Sequence, residues 1–148
     1  MRLAAIAAVV AACNGDDPAP AFPADYAATY VEVRDCRSSA DHELHAIRVL
    51  ADPDAAAVYA ARDRPFAIGA IVLKAEYDFD DPTCSGEIVQ WTVMERLADG
   101  ASPALLDWRW QRVDADRAVV EEDAARCANC HAGCGEPPDG YLGTCAME

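Results

Sequence analysis

The residues with the clearest chemistry are Cys127-Ala128-Asn129-Cys130-His131. Two thiols at this spacing, on the last turns of a helix, can each add to one vinyl group of a haem, and the adjacent imidazole can then reach the iron. The expected cofactor is therefore one covalently attached haem c, with Cys127 and Cys130 as anchors and His131 as axial metal ligand. Cys134 and Cys145 lie close behind and allow rival uses of the same sulfurs: a four-cysteine zinc site, an iron–sulfur site, or two disulfides. The second unusual residue is Lys74. The chain has twelve cationic residues, eleven arginines and this single lysine, so one primary amine is set among guanidinium groups that cannot act as nucleophiles.

Compartment bears on the choice. Met1-Arg2 is followed by an uninterrupted apolar run through Ala12, which is too short to span a bilayer but suits the apolar region of a signal peptide. The run ends Val10-Ala11-Ala12-Cys13, which resembles a bacterial lipobox. Residues 1–12 are then a leader, Cys13 the lipidation site, and 13–22 a tether rich in Asn, Gly, Asp, Pro and Ala. Export disfavours thiolate metal sites and favours disulfides. Seven cysteines divide without remainder into one lipid anchor, two haem anchors and an even set of Cys36, Cys84, Cys134 and Cys145. Three pairings of that set are open. Proximity favours Cys134 with Cys145, leaving Cys36 with Cys84; a cross-pairing that staples the tail to the sheet is the competing arrangement.

With 148 residues and 53% hydrophobic side chains, the chain is one globular domain, here 23–148. A formal net charge of -14 excludes nucleic acid and leaves any membrane contact to the lipid anchor. Apolar spacing predicts a helix over 23–36 and a short Ala-rich helix over 52–59 opened by Asp52-Pro53-Asp54. Strand-like runs occupy 44–50, 69–77, 87–97 and 106–113. A further helix is expected over 117–130. The fold class is α+β: an antiparallel sheet, short N-terminal helices and a C-terminal helix carrying the haem motif. Along 69–77, Ala70, Val72, Lys74 and Glu76 share one face and Ile71, Leu73, Ala75 and Tyr77 the other.

The order of these features resembles the cytochrome P-460 family, beta-rich mono-haem c-type cytochromes. The likeness rests on Asp25-Tyr26, the segment Val49-Leu50-Ala51-Asp52-Pro53-Asp54, the run from Gly69 to Lys74 and on to Tyr77, Asp107-Trp108-Arg109-Trp110, the haem motif, and Asp139-Gly140-Tyr141. The resemblance implies a five-coordinate haem that oxidises hydroxylamine or a related nitrogen compound, with Lys74 at the position where the family joins a lysine to a bridging carbon of the porphyrin. It also implies a carboxylate shortly after the haem histidine as proton acceptor. Glu136 is the candidate for that role, and Asp139 is a turn cap. The partners expected are a small nitrogen-containing substrate or gas ligand and a soluble redox cytochrome, with room for a homodimer.

Other readings of the same fold are a gas-binding cytochrome for nitric oxide or carbon monoxide, with apolar distal walls, and a small electron-transfer lipoprotein with a sulfur or imidazole sixth ligand. His42, His45, Met94 and Met147 are the residues that could supply such a ligand. Trp91, Trp108 and Trp110 are expected in the core or against the haem edge.

Overall fold

Six stretches, each carrying at least one β-branched Val or Ile, pair into one antiparallel sheet, each strand hydrogen-bonded to its predecessor in the chain. They are β1 (Val31–Ser38), β2 (Ala46–Ala51), β3 (Ile71–Tyr77), β4 (Ile88–Arg96), β5 (Trp108–Asp114) and β6 (Val119–Glu122). Three α-helices accompany them among the described residues: α1 (Tyr26–Thr29), α2 (Pro53–Ala61) and α3 (Ala125–His131). The computed structural model describes residues 18–146; the leader, Cys13 and Met147 lie outside the described residues.

Two expected helices are replaced in part by strands. Of 23–36, only the four residues of α1 are helical, and the chain then enters β1. The spacing of Tyr26, Tyr30 and Val33 suits a helix, but Val31 and Val33 are β-branched, and β2 offers a partner, pairing Val31 with Ala51 and Ser38 with Ala46. Likewise, 117–130 begins as β6, where Val119 pairs with Val113 and Glu122 with Gln111 of β5. The helix there is confined to α3. Both missed strands are sheet edges. Register shifts and Glu32, Arg34, Asp35 and Arg37 guard β1, while β6 is only four residues long and ends in two glutamates, features that block further strand addition.

The helix at 53–61 follows directly from its sequence. Asp52 caps it, its carboxylate accepting the amides of Asp54 and Ala55 at 3.0 Å each, and Pro53 sits where no amide is needed. The other oxygen of Asp52 accepts the Ile71 amide at 2.6 Å, so one carboxylate ties α2 to the start of β3.

Each sheet face carries its own core. On one, Val49, Val72, Met94, Trp108 and Trp110 pack under α2, Phe66 and Ala128 of α3. On the other, Leu73, Ala75, Trp91, Val93 and Val113 pack under Phe22 and Tyr26. The Trp91 indole donates to the Tyr26 hydroxyl at 3.0 Å. Phe22, read from the sequence as tether, is 2% exposed. Gln111 holds the segment before it, accepting from the Ala21 amide and donating to the Ala19 carbonyl. Packed structure thus begins ahead of residue 23. Disulfides join Cys36 to Cys84 and Cys134 to Cys145, the pairing that proximity favours.

Candidate functional site

The face of β3 carrying Val72, Lys74 and Glu76 forms one wall of a cavity of about 310 Å³. Gln90, Thr92 and Met94 extend that wall on β4, and Trp110 and Arg112 on β5. Strand pairing sets the rows: Val72 lies opposite Met94 and Met94 opposite Trp110, while Lys74 lies opposite Thr92 and Thr92 opposite Arg112. The remaining wall is α3, which contributes Arg126, Cys127, Cys130 and His131. The loop after β1 closes one end with Asp41, His42 and Glu43.

His131 is buried at 6% exposure, its ring edge-on to Trp110 with centroids 4.8 Å apart. Its Nδ1 lies 2.5 Å from the Gly143 carbonyl oxygen. A carbonyl only accepts, so Nδ1 carries the hydrogen and Nε2 the lone pair. Burial, helped by the nearby Lys74 charge, lowers the ring's pKa to about 4, which keeps it neutral at physiological pH. Metal-binding imidazoles are held in this way, with the second nitrogen donating to a carbonyl. Gly143 is in turn positioned by the Cys134–Cys145 staple, its amide bonded to the Cys134 carbonyl at 3.0 Å. Cys127 and Cys130 are free thiols on the same helix. Two thiols and a neutral imidazole fixed beside one cavity are a donor set that fits haem. Because Cys134 and Cys145 are bonded to each other, the four-cysteine zinc and iron–sulfur readings lose half of their ligands.

Lys74 lines the cavity, and its Nζ lies 2.6 Å from His42 Nε2. Burial lowers its pKa to about 8, opposed by the charge of Glu76 and assisted by Arg37. Glu76, two residues on along the same face, is fully buried and accepts four side-chain hydrogen bonds. Oε1 receives Thr92 at 2.7 Å and His42 Nδ1 at 3.1 Å; Oε2 receives Gln90 and His45 Nδ1, each at 2.8 Å. Burial alone would raise its pKa, but these bonds prevail and lower it to about 2.

Glu136 and Asp139 are exposed and do not line the cavity. They belong to a turn in which the Glu136 carbonyl accepts the Gly140 amide at 3.1 Å. The buried carboxylate of the cavity is Glu76, which shares the face of Lys74 along β3, whereas Asp41 and Glu43 are exposed at its end. The detectable signal was that shared face together with His42 and His45 three residues apart. Both histidines reach the carboxylate, and His42 also reaches the cavity. Met94 lines the cavity floor within the core. Trp91 lies in the opposite core, Trp108 beneath α2 and the tail, and Trp110 against His131.

No helix among the described residues is long and apolar enough to cross a membrane. No curated protein matches the chain. The family model of cytochrome P460 matches residues 23–136, a span that takes in all six strands, Lys74, and the Cys127–His131 segment. The chain therefore belongs to the cytochrome P460 family of haem proteins.

Proposed function

We propose that the protein is an exported mono-haem oxidoreductase that oxidises hydroxylamine or a related nitrogen compound. The observation that carries this reading is that the single lysine of the chain opens into the same cavity as Cys127, Cys130 and His131. Cys127 and Cys130 hold the haem covalently, His131 ligates the iron through Nε2, and Lys74 is joined to a bridging carbon of the porphyrin. Arg112 and Arg126, both paired with Glu121 and both lining the cavity, are the cations suited to the haem carboxylates. The haem supplies the redox chemistry when bound; the chain sets its axial ligand, its distortion and the polarity around it.

Cavity polarity favours this reading over the gas-binding one. Walls for a neutral diatomic gas would be apolar throughout, whereas here Val72, Met94 and Trp110 share the cavity with the Lys74 amine and the His42 ring. Glu76, with a pKa of about 2 and each oxygen already accepting two hydrogen bonds, fixes its neighbours and does not take up protons at neutral pH. Export rests on the leader and Cys13.

Peptide mass analysis of chain matured with haem-attachment machinery tests the assignment of the anchors. Haem on the Cys127–Cys130 peptide, linked also to the Lys74 peptide, is the expected result. Turnover is tested separately, by hydroxylamine-dependent reduction of a soluble cytochrome. A six-coordinate low-spin ferric spectrum with no turnover would refute the enzyme reading.

A further inference from the structure

His42 is engaged through both ring nitrogens, and the two partners differ in kind. Nδ1 faces Glu76 Oε1 at 3.1 Å, and Nε2 faces Lys74 Nζ at 2.6 Å. An ionised carboxylate only accepts, so the ring hydrogen lies on Nδ1 and Nε2 turns its lone pair toward the amine. Glu76 cannot swing away, because Thr92 holds one oxygen and His45 and Gln90 hold the other. The loop is set as firmly: the Ser39 amide bonds the His45 carbonyl and the His45 amide bonds the His42 carbonyl, each at 2.9 Å. A nucleophile within hydrogen-bond reach of a base, with that base oriented by an acid, is the arrangement that activates serine and cysteine nucleophiles. Here the nucleophile is an amine.

We infer that Glu76, His42 and Lys74 form an amine-activating triad, in which His42, fixed by Glu76, takes a proton from the Lys74 ammonium and leaves a nucleophilic amine facing the cavity. The inference rests on the reading that Lys74 is joined to the porphyrin, and it assigns the residues that make the joining efficient. The ammonium proton moves to Nε2, giving an imidazolium paired with the Glu76 carboxylate. The amine lone pair then forms the nitrogen–carbon bond. One amine hydrogen and the hydrogen of the porphyrin bridging carbon leave as protons, and the two electrons of that carbon–hydrogen bond pass to a peroxide. Peroxide, two electrons and two protons give two waters.

The surroundings favour the transfer. Lys74 is faced by Glu76 on its own strand, Arg37 on β1, Asp41 and His42 in the loop, and Cys130 and His131 on α3. Burial among these groups already lowers its pKa to about 8, so little free energy separates the ammonium from the amine. His42 is 17% exposed, which gives the accepted proton a route to solvent.

The test uses full-length, haem-loaded chain matured in parallel as wild type, His42→Gln, His42→Ala and His45→Gln. His45 makes its side-chain bond to Glu76 and not to Lys74, and glutamine at 45 keeps an N–H donor for that oxygen. The fraction of Lys74 peptide linked to the haem peptide is read by mass spectrometry. Haem attachment at Cys127 and Cys130 is expected in all four. Formation of the Lys74 link is expected to slow on the order of 100-fold in both His42 variants, to recover in His42→Ala when imidazole is present during maturation, and to persist in His45→Gln. Linkage at the wild-type rate in both His42 variants would overturn the triad. If the wild type itself carries no link, the porphyrin reading fails separately, and the triad is then read from acetylation of the free lysine by a succinimidyl acetate. Slower acetylation of Lys74 in His42→Gln than in wild type, again on the order of 100-fold, supports it; equal rates overturn it.

Discussion

Replacing Glu76 with Gln tests the electrostatic core of the cavity. In the wild type a fully buried carboxylate accepts from His42, His45, Gln90 and Thr92 at 2.7 to 3.1 Å. Glutamine keeps one acceptor oxygen and turns an NH2 group toward two of those donors. Each buried group so stranded costs about 1–3 kcal/mol, so the two together give an expected loss of about 2–6 kcal/mol at neutral pH. The pH dependence of that loss is a sharper measure. Glu76 is lowered from 4.5 unfolded to about 2 folded, which corresponds to about 3 kcal/mol. Because the folded value is the depressed one, this stabilisation is complete above pH 4.5 and disappears as pH falls from 4.5 through 2. Glutamine does not titrate, so the difference between wild type and variant should be largest at pH 5–7 and close by about 3 kcal/mol toward pH 2. Urea unfolding followed by tryptophan fluorescence, with both disulfides intact, measures it at each pH. A difference that stays constant between pH 5 and 2.5 would show that the four donors do not favour the anion, and the reasoning would fail.

Lys74→Met in haem-free chain should stabilise the fold by about 3 kcal/mol at pH 7, since the wild type buries a charge there at the cost of a pKa depressed from 10.5 to about 8. Wild-type stability should rise between pH 8 and 10.5, where the unfolded chain holds the extra proton, and the variant should lack that rise in urea titrations. Removing the Cys36–Cys84 bridge, with its separation of 48 residues, should cost about 4 kcal/mol, and removing Cys134–Cys145, with 11, about 3 kcal/mol, both read from unfolding midpoints of paired Cys→Ser variants. Gly140→Ala would bring a Cβ within 2.6 Å of the Cys134 carbonyl oxygen and 2.9 Å of Cys145 Cα; a loss above about 2 kcal/mol, seen as a lowered Tm, is expected.

The site was legible where chemistry is local. Cys127, Cys130 and His131 are adjacent in sequence, and the period-two alternation around Lys74 already put it on the face opposite Leu73 and Ala75. What was not legible depends on distant partners. Val31 and Val119 sit in stretches whose apolar spacing also fits a helix, and only pairing with β2 and β5 decides the matter. Glu136 drew attention by lying five residues after His131, yet the tight turn closed by Gly140 holds it outside. Glu76 becomes the buried carboxylate of the cavity only because a loop more than thirty residues upstream and the neighbouring strand β4 send four donors to it, a convergence that the spacing of His42 and His45 does not by itself place on Glu76.

The strand order has a consequence for how the protein comes into being. A sheet in which every strand pairs with the one before it needs no strand to wait for a later one to be threaded between neighbours, and pairings close in sequence form with the smallest loss of chain entropy. The last strand ends at Glu122 and the helix bearing the two thiols begins at Ala125. Each residue of the cavity floor, from Val72 to Arg112, therefore precedes the anchors in the chain. In vectorial folding from the amino end, the floor takes shape first, and the tethering helix arrives last over a surface already laid out to receive what it carries.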